Sequence, residues 1–506
     1  MSLLNLGRQY LGRQQQLAGT SNRLSVPSPI GGLNTRDSES VMDILDAVEM
    51  DNWFPDQGKV TTRKGYSSYV TGLTGQVETL MEYYAGSTRV HICANNGEIN
   101  NITNPASVAN LGSGFSNNRW QYANFNANML LVNGQDTPQV FDGSSLSDST
   151  ISGPTVTDLD GVNVHKGRVY VWNSSSQDFW YGATNAIGGT FTQFPLSRVA
   201  RGGGNLIAME TWNLDGGDGV DDYALFLMSS GEALLYAGSN PADATNWSLV
   251  GKYKIGSPLA IRGIKKVAGD VVIITDRDFI FFSEVFKNDG AVTSKSKLSG
   301  AALEAAENYS SNYGWEVELY PAGNWLLFNV PVATNVTYVQ YIVNTITGAA
   351  TKFTGMNGST WGVYNDNLYF GGSGAVYKAN DGLNDNGNYI EYNVRQAYNN
   401  LGNTLPKTIN SYRNIIKADG NVTVNSIVNF DYGISAVTQT VSTASTGTPW
   451  GSPWGSPWSP ESKARSALVL SSGTGVDVSM RLYVSLKGQQ VQWYRTDYNY
   501  TINNSV

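Results

Sequence analysis

Two histidines, His91 and His165, and one cysteine, Cys93, are the whole stock of imidazole and thiol in this chain. A structural zinc site takes four Cys or His ligands, so none can be assembled, and no disulfide can close within the chain. Each histidine sits inside a strand-like run, RVHICAN and VNVHKGRVYV, the setting of a packed, hydrogen-bonded side chain. A Ser-His-Asp triad lacks its Gly-x-Ser-x-Gly elbow. Carboxylates remain. Asp215, Asp218, Asp221 and Asp222 crowd one glycine-rich stretch, and hard cations favour such oxygen-rich loops. The spacing fits no EF-hand, and a solvated acidic loop is the stronger reading. Arg198 and Arg201-Gly-Gly-Gly204 lack the Lys-Ser/Thr of a phosphate loop. Two carboxylates beside a ring axis would make a glycosidase, with Glu210, Asp276, Asp278 and Glu284 as candidates, but the Asp-box repeat of sialidases is absent. The sequence therefore yields no catalytic residue, no cofactor site and no metal site beyond the weak acidic loop, and the chain reads as a non-enzyme.

The elements that would carry such residues are strands. Of 506 residues, 55 are glycine, 11% are aromatic and only 15% are charged. Strands favour aromatic and β-branched side chains, and tight turns favour Gly and Asn. Between residues 81 and 380 a motif of two aromatic-rich strands joined by a polar turn recurs, starting at Met81, Trp120, Val162, Leu206, Ile264, Trp315 and Trp361. The starts lie 39, 42, 44, 58, 51 and 46 residues apart, by subtraction of those positions, and such a period marks β-propeller blades. Asn-Asn-Gly (95–97), Asn-Gly (133–134), Ser-Gly (230–231) and Gly-Gly-Ser-Gly (371–374) supply the hairpin links. Alternation places Val169, Val171, Val271 and Ile273 on one face of their strands. The expected fold is all-β: a β-propeller of six or seven blades over 67–380, then a C-terminal β-barrel or sandwich platform over 381–506.

The ends differ from the middle. Residues 1–28 carry Arg8, Arg13 and Arg23 without an acid, a charge of +3, and read as an arm that orders against a neighbour. Residues 388–506 hold nine Lys/Arg and six Asp/Glu, also +3, so 29–387 must carry −14 of the total −8. An acidic middle does not hold nucleic acid, which needs clustered Lys/Arg. Residues 29–66 form an opening segment that contributes to the platform and a first strand. There Asp43-Ile-Leu-Asp46 predicts the cap of a short helix running to Met50, and Phe54–Gly58 a turn before a strand at Lys59–Thr62. In the platform, Pro449–Trp458 repeats Pro-Trp with Trp450, Trp454 and Trp458 four apart. Proline at each turn excludes a helix, and the tryptophans suit an interface. No apolar run reaches the length of a membrane span, and the opening MSLLNLGRQYLGRQQQ has no export-signal pattern.

Three motifs carry a resemblance: Gly31-Gly-Leu-Asn34, Asp51-Asn-Trp-Phe-Pro55 and Arg63-x-Gly-Tyr66, joined by the Trp450–Trp458 repeat and Gln492–Tyr498 near the other end. Together they resemble the tail nozzle proteins of podoviruses, of the tail tubular protein B or packaged-DNA-stabilisation type. In the repeat, Gly stands where that family usually has Asp. The resemblance implies a virion structural protein assembled in the host cytoplasm, with six subunits in a ring at the distal end of a short tail. It implies an adaptor ring as neighbour, tail fibres or spikes nearby, and double-stranded DNA passing through the channel without sequence-specific binding. Arg8, Arg13, Trp450, Trp454 and Trp458 are then the interface candidates. The alternative is a glycan- or receptor-binding propeller, and after it a propeller glycosidase.

Overall fold

The computed structural model describes residues 21–215, 220–287, 296–435, 438–443 and 468–503. Arg8, Arg13, Asp218, Trp450, Trp454 and Trp458 lie outside them. The chain is all-β and folds into two compact units.

The first unit takes Met1–Ser67, Tyr341–Gly355 and Asn380–Val506. One of its sheets centres on two long strands, Lys407–Ala418 and Val491–Ile502, flanked by Val469–Leu470 on one side and by Lys59–Thr62 and Trp53–Asp56 on the other. A second sheet runs Ala350–Phe353, Gly32–Leu33, Asp46–Asp51, Ile390–Gln396, Val478–Leu486, Val422–Phe430 and Gln439–Thr443. In Val491–Ile502 burial alternates residue by residue almost throughout, as in a strand with one face on a core. The two sheets meet where the Tyr412 and Ser426 hydroxyls bond at 2.7 Å.

Three expectations change here. Ser21–Pro27, the end of the supposed arm, is a strand paired from Ser21↔Thr501 to Pro27↔Arg495 with this chain's own last strand. Asp43 starts no helix. Its carboxylate takes the Leu45 N–H at 2.9 Å and its carbonyl takes the Asp46 N–H, closing a turn. Asp46–Asp51 then extends as a strand between Gly32–Leu33 and Ile390–Gln396; pairing on both sides outweighs a local capping pattern. The stretch expected to run unbroken from 67 to 380 loses Tyr341–Gly355 to the first unit. There Ala350 pairs with Gly32, whose φ is +81° and whose Cβ, if it had one, would lie 2.4 Å from the Ala350 carbonyl oxygen. Only glycine allows both that conformation and that approach.

The second unit, Ser68–Gln340 with Met356–Ala379, has the β-propeller arrangement. Five of its sheets stand as blades, four of them starting at the strands Gln121–Phe125, Gly161–His165, Leu206–Asp215 and Ile264–Val267. The fifth joins Tyr66–Ala85, Thr88–Asn95, Glu98–Asn101 and Ala109–Ser113 to the hairpin Thr360–Tyr364/Asn367–Ala379. Glu316–Tyr320 and Trp325–Ala333 form a further antiparallel pair.

Alternation sorts side chains between neighbouring blades. Val169 and Val171 pack with Leu130 and Val132 of the preceding sheet, while Tyr170 and Trp172 pack with Leu225 and Phe226 of the next. All are buried, because each sheet is covered on both faces. Phe279 stacks on Phe328 at 4.4 Å, carrying the same contact onward. The Asn-Asn-Gly link forms a two-residue hairpin turn with positive φ at Asn96 and Gly97. The Gly-Gly-Ser-Gly stretch is no turn. It lies inside the strand Asn367–Ala379, where a Cβ on Gly371 would come 2.6 Å from the Val77 carbonyl oxygen.

Candidate functional site

The innermost strands of the propeller surround an axial cavity of 410 Å³. Among the described residues its wall takes Glu82, Tyr122, Asn163, Glu210, Lys265 and Glu318, each from a different strand. Consecutive residues such as Gln121 and Tyr122, Val162 and Asn163, and Glu316 to Glu318 line it together, because the inner strands present an edge to the axis. A second cavity of 480 Å³ continues along it, lined by Asn117, Arg119, Gln135, Asn312 and Tyr313 among others. Gln121, Ile261, Arg262 and Glu316 line both.

Arg262 is the bar between them. It stands on the short 3-10 turn Ile261–Gly263. Its guanidinium donates to the Glu78 carbonyl at 2.8 Å, the Thr79 hydroxyl at 2.7 Å, the Trp120 carbonyl at 2.8 Å and the Thr360 hydroxyl at 3.2 Å. Those acceptors belong to three other parts of the wall. Tyr313 adds a bond from its hydroxyl to the Glu78 carbonyl at 3.0 Å, and Arg119 lies 3.5 Å over the Tyr313 ring.

The axial carboxylates are held individually. Glu318 takes Lys265 at 2.6 Å, and Glu82 takes Arg89 at 2.8 Å. Glu210 accepts from the Asn163 amide at 3.1 Å and the Thr211 N–H at 3.0 Å, and burial raises its pKa. Glu316 accepts the Trp361 N–H at 2.9 Å, and burial pushes its pKa up to about 7.

No family model matches the chain, and no curated protein matches it. Solved structures do. YCF48 from Cyanidioschyzon merolae is 10% identical with a TM-score of 0.41, covering 62% of this chain and 98% of its own. The Pan2 WD40 domain of Neurospora crassa is 7% identical with a TM-score of 0.39, covering 65% and 98%. The computationally designed Ika8 protein is 8% identical with a TM-score of 0.36, covering 62% and 99%.

Of the described carboxylates singled out in the sequence, Glu210 alone reaches the axial wall. Asp276 holds the Ser257 N–H at 2.7 Å in a loop, Asp278 closes a tight turn with Thr275, and Glu284 lies on the helix Phe282–Lys287. None of the three lines either cavity. Asp215 and Asp222 stand on the two arms of a hairpin, Leu206–Asp215 and Val220–Met228, paired as Asp215↔Val220 and Asn213↔Asp222. Among the described residues no group of three or more His, Cys, Asp or Glu is placed to hold a metal ion. The Gly202 N–H of the glycine-rich loop is taken by the Glu232 carboxylate at 2.9 Å, where a phosphate would have to sit. His165 bonds Thr211 at 3.0 Å. His91 is buried with neither ring nitrogen partnered, stacked 4.7 Å from Tyr364, and burial pulls its pKa down to about 3. Sequence reasoning missed Glu316, Glu318, Lys265 and Arg262. All four sit in the first strand of a repeated strand pair or the turn before it, so the repeat register was the available signal.

The three resemblance motifs converge in the first unit. Arg63 donates from all five of its N–H groups: to Asn52 at 2.8 Å, the Lys64 carbonyl at 2.9 Å, the Thr354 carbonyl at 2.7 Å, and both Asp385 oxygens at 2.8 and 2.7 Å. Asn34 donates to Asp46 at 2.8 Å, and Trp53 is buried against Tyr392.

Proposed function

We propose that this chain is a structural, non-enzymatic subunit of a short phage tail, the nozzle ring that continues the DNA channel below the adaptor and portal. The observation that carries this reading is the convergence at Arg63. The residues most specific to the resemblance, in Asp51–Pro55 and Arg63–Tyr66, are consumed in tying strands of one unit together. Motifs used in this way mark a shared framework rather than a shared reaction. The axis agrees: its charged groups are bonded to the wall, and Arg262 bars it, so the genome would run through a ring of subunits and not through one propeller.

This reading counts the Glu316–Tyr320/Trp325–Ala333 pair as a sixth blade and gives six or seven blades according to whether the hairpin at Thr360 is taken with the sheet it joins or as a blade of its own, with the first unit as the sandwich or barrel platform. Six copies, an adaptor ring and nearby fibres or spikes come from the resemblance, as does assembly in the host cytoplasm and a place in the virion tail. A segment of charge −14 repeated around a channel would repel DNA and let it slide. Among the described residues no helix is long and apolar enough to cross a membrane. Mass by light scattering and shape by electron microscopy, with and without the adaptor, test the proposal. A hexameric ring is expected; a monomer indifferent to the adaptor overturns it.

A further inference from the structure

The axial cavity beyond Arg262 has a property that framework alone does not require. Two of its carboxylates are paired with cations and two are held by neutral donors, while the Gln121 amide has no partner among the described residues. Glu318 is paired with Lys265 and Glu82 with Arg89. Arg262 is bonded four times to carbonyls and hydroxyls. An anion would find no free cation, while Glu210 and Glu316, which also line the space, are held by neutral donors only and offer acceptors.

What remains open is of another kind. The Gln121 amide lines the cavity and has no hydrogen-bond partner among the described residues. Tyr122 is 37% exposed and stands among Glu82, Lys265 and Glu318; its hydroxyl accepts from the Glu82 backbone and keeps its own proton to donate. Glu210 takes both of its bonds on one oxygen. Tyr84, on the rim, is 53% exposed and supplies an aromatic face. At 410 Å³ the space falls in the range of about 300–1,000 Å³ usual for small-molecule sites. Amide and hydroxyl donors, carboxylate acceptors and tyrosine rings around a small, half-open space match vicinal hydroxyls on a compact, partly apolar ring.

We propose that this cavity binds one small uncharged polyhydroxylated molecule, a single sugar ring, with Gln121, Tyr122 and Glu210 as its hydrogen-bonding partners. The proposal does not depend on the ring assembly and would stand if the nozzle reading fell.

Saturation-transfer NMR on the full chain, with glucose, galactose, N-acetylglucosamine and the diamine putrescine as probes, tests it. At least one neutral sugar should receive transfer, and Gln121→Ala and Tyr122→Phe should each weaken that binding about tenfold, the worth of one hydrogen bond of about 1.4 kcal/mol. Both substitutions only remove atoms at the cavity surface, and circular dichroism verifies that the variants are folded. Transfer to no neutral sugar overturns the proposal. So does transfer that both variants leave unchanged, since the sugar then sits elsewhere. Binding of putrescine alone overturns it in favour of a cation site.

Discussion

Arg63 and Arg262 are both drawn into the protein, one in each compact unit, and they are satisfied differently. Arg63 has a side chain with no exposure and meets a carboxylate in a two-point ion pair, with three further acceptors completing its five donors. Arg262 meets no carboxylate oxygen directly: its four bonds go to two carbonyls and two hydroxyls, and cavities lie on either side. A buried ion pair is fixed in geometry because either partner left alone is an uncompensated charge. A guanidinium among neutral acceptors beside water-sized space is held less absolutely. The first unit's arginine is therefore a weld, and the propeller's a removable bar.

The largest effect should come from the weld. Asp385→Ala leaves the Arg63 guanidinium buried without its counter-charge, and a loss of about 3–5 kcal/mol is expected, read as a fall in the urea midpoint. Arg262→Met should cost less, about 2 kcal/mol. Of the four acceptors it abandons, Thr79 and Trp120 line the first cavity, where water can replace the lost donors. If Arg262→Met proves as costly as Asp385→Ala, the contrast fails, and the axis is as dry as the first unit's core.

How much of this was legible beforehand follows from the kind of interaction involved. The strand-turn-strand repeat was readable because each blade must alternate and must turn, and Val169 and Val171 do lie on one face. That Tyr170 and Trp172 would be buried too was not readable from one strand, since it depends on the next blade. The strand at Asp46–Asp51 was misread as a helix because its partners, Gly32–Leu33 and Ile390–Gln396, include one more than 300 residues away. Gly371–Gly374 looked like a turn because a glycine needed for close approach is indistinguishable in sequence from one needed for positive φ. The axial site was almost invisible. Arg262 and Glu316 come from turns and strands with no motif of their own, and only closure of the ring brings them together.

The axis also offers the smallest and most specific test, one of pH. Glu316 has its pKa pushed from an ordinary 4.5 up to about 7 by burial, with Arg262 opposing the shift. The folded state therefore holds a proton between those values that the unfolded state has released. Stability contributed by this group is full below about pH 4.5 and declines as pH rises towards 7. Glu316→Gln removes the titration while its amide oxygen can still accept the Trp361 N–H. The variant should come close to the parent near pH 5 and clearly exceed it at pH 8, measured by urea unfolding at both values. His91 titrates in the opposite sense. Its depressed pKa costs stability only as pH falls from about 6.5 towards 3, so it adds little at pH 8. An equal gain for Glu316→Gln at both pH values would mean that the carboxylate is ionised in the folded state as it is in the unfolded one. The Arg262 bar would then be an ion pair after all, and the distinction between the two arginines would collapse.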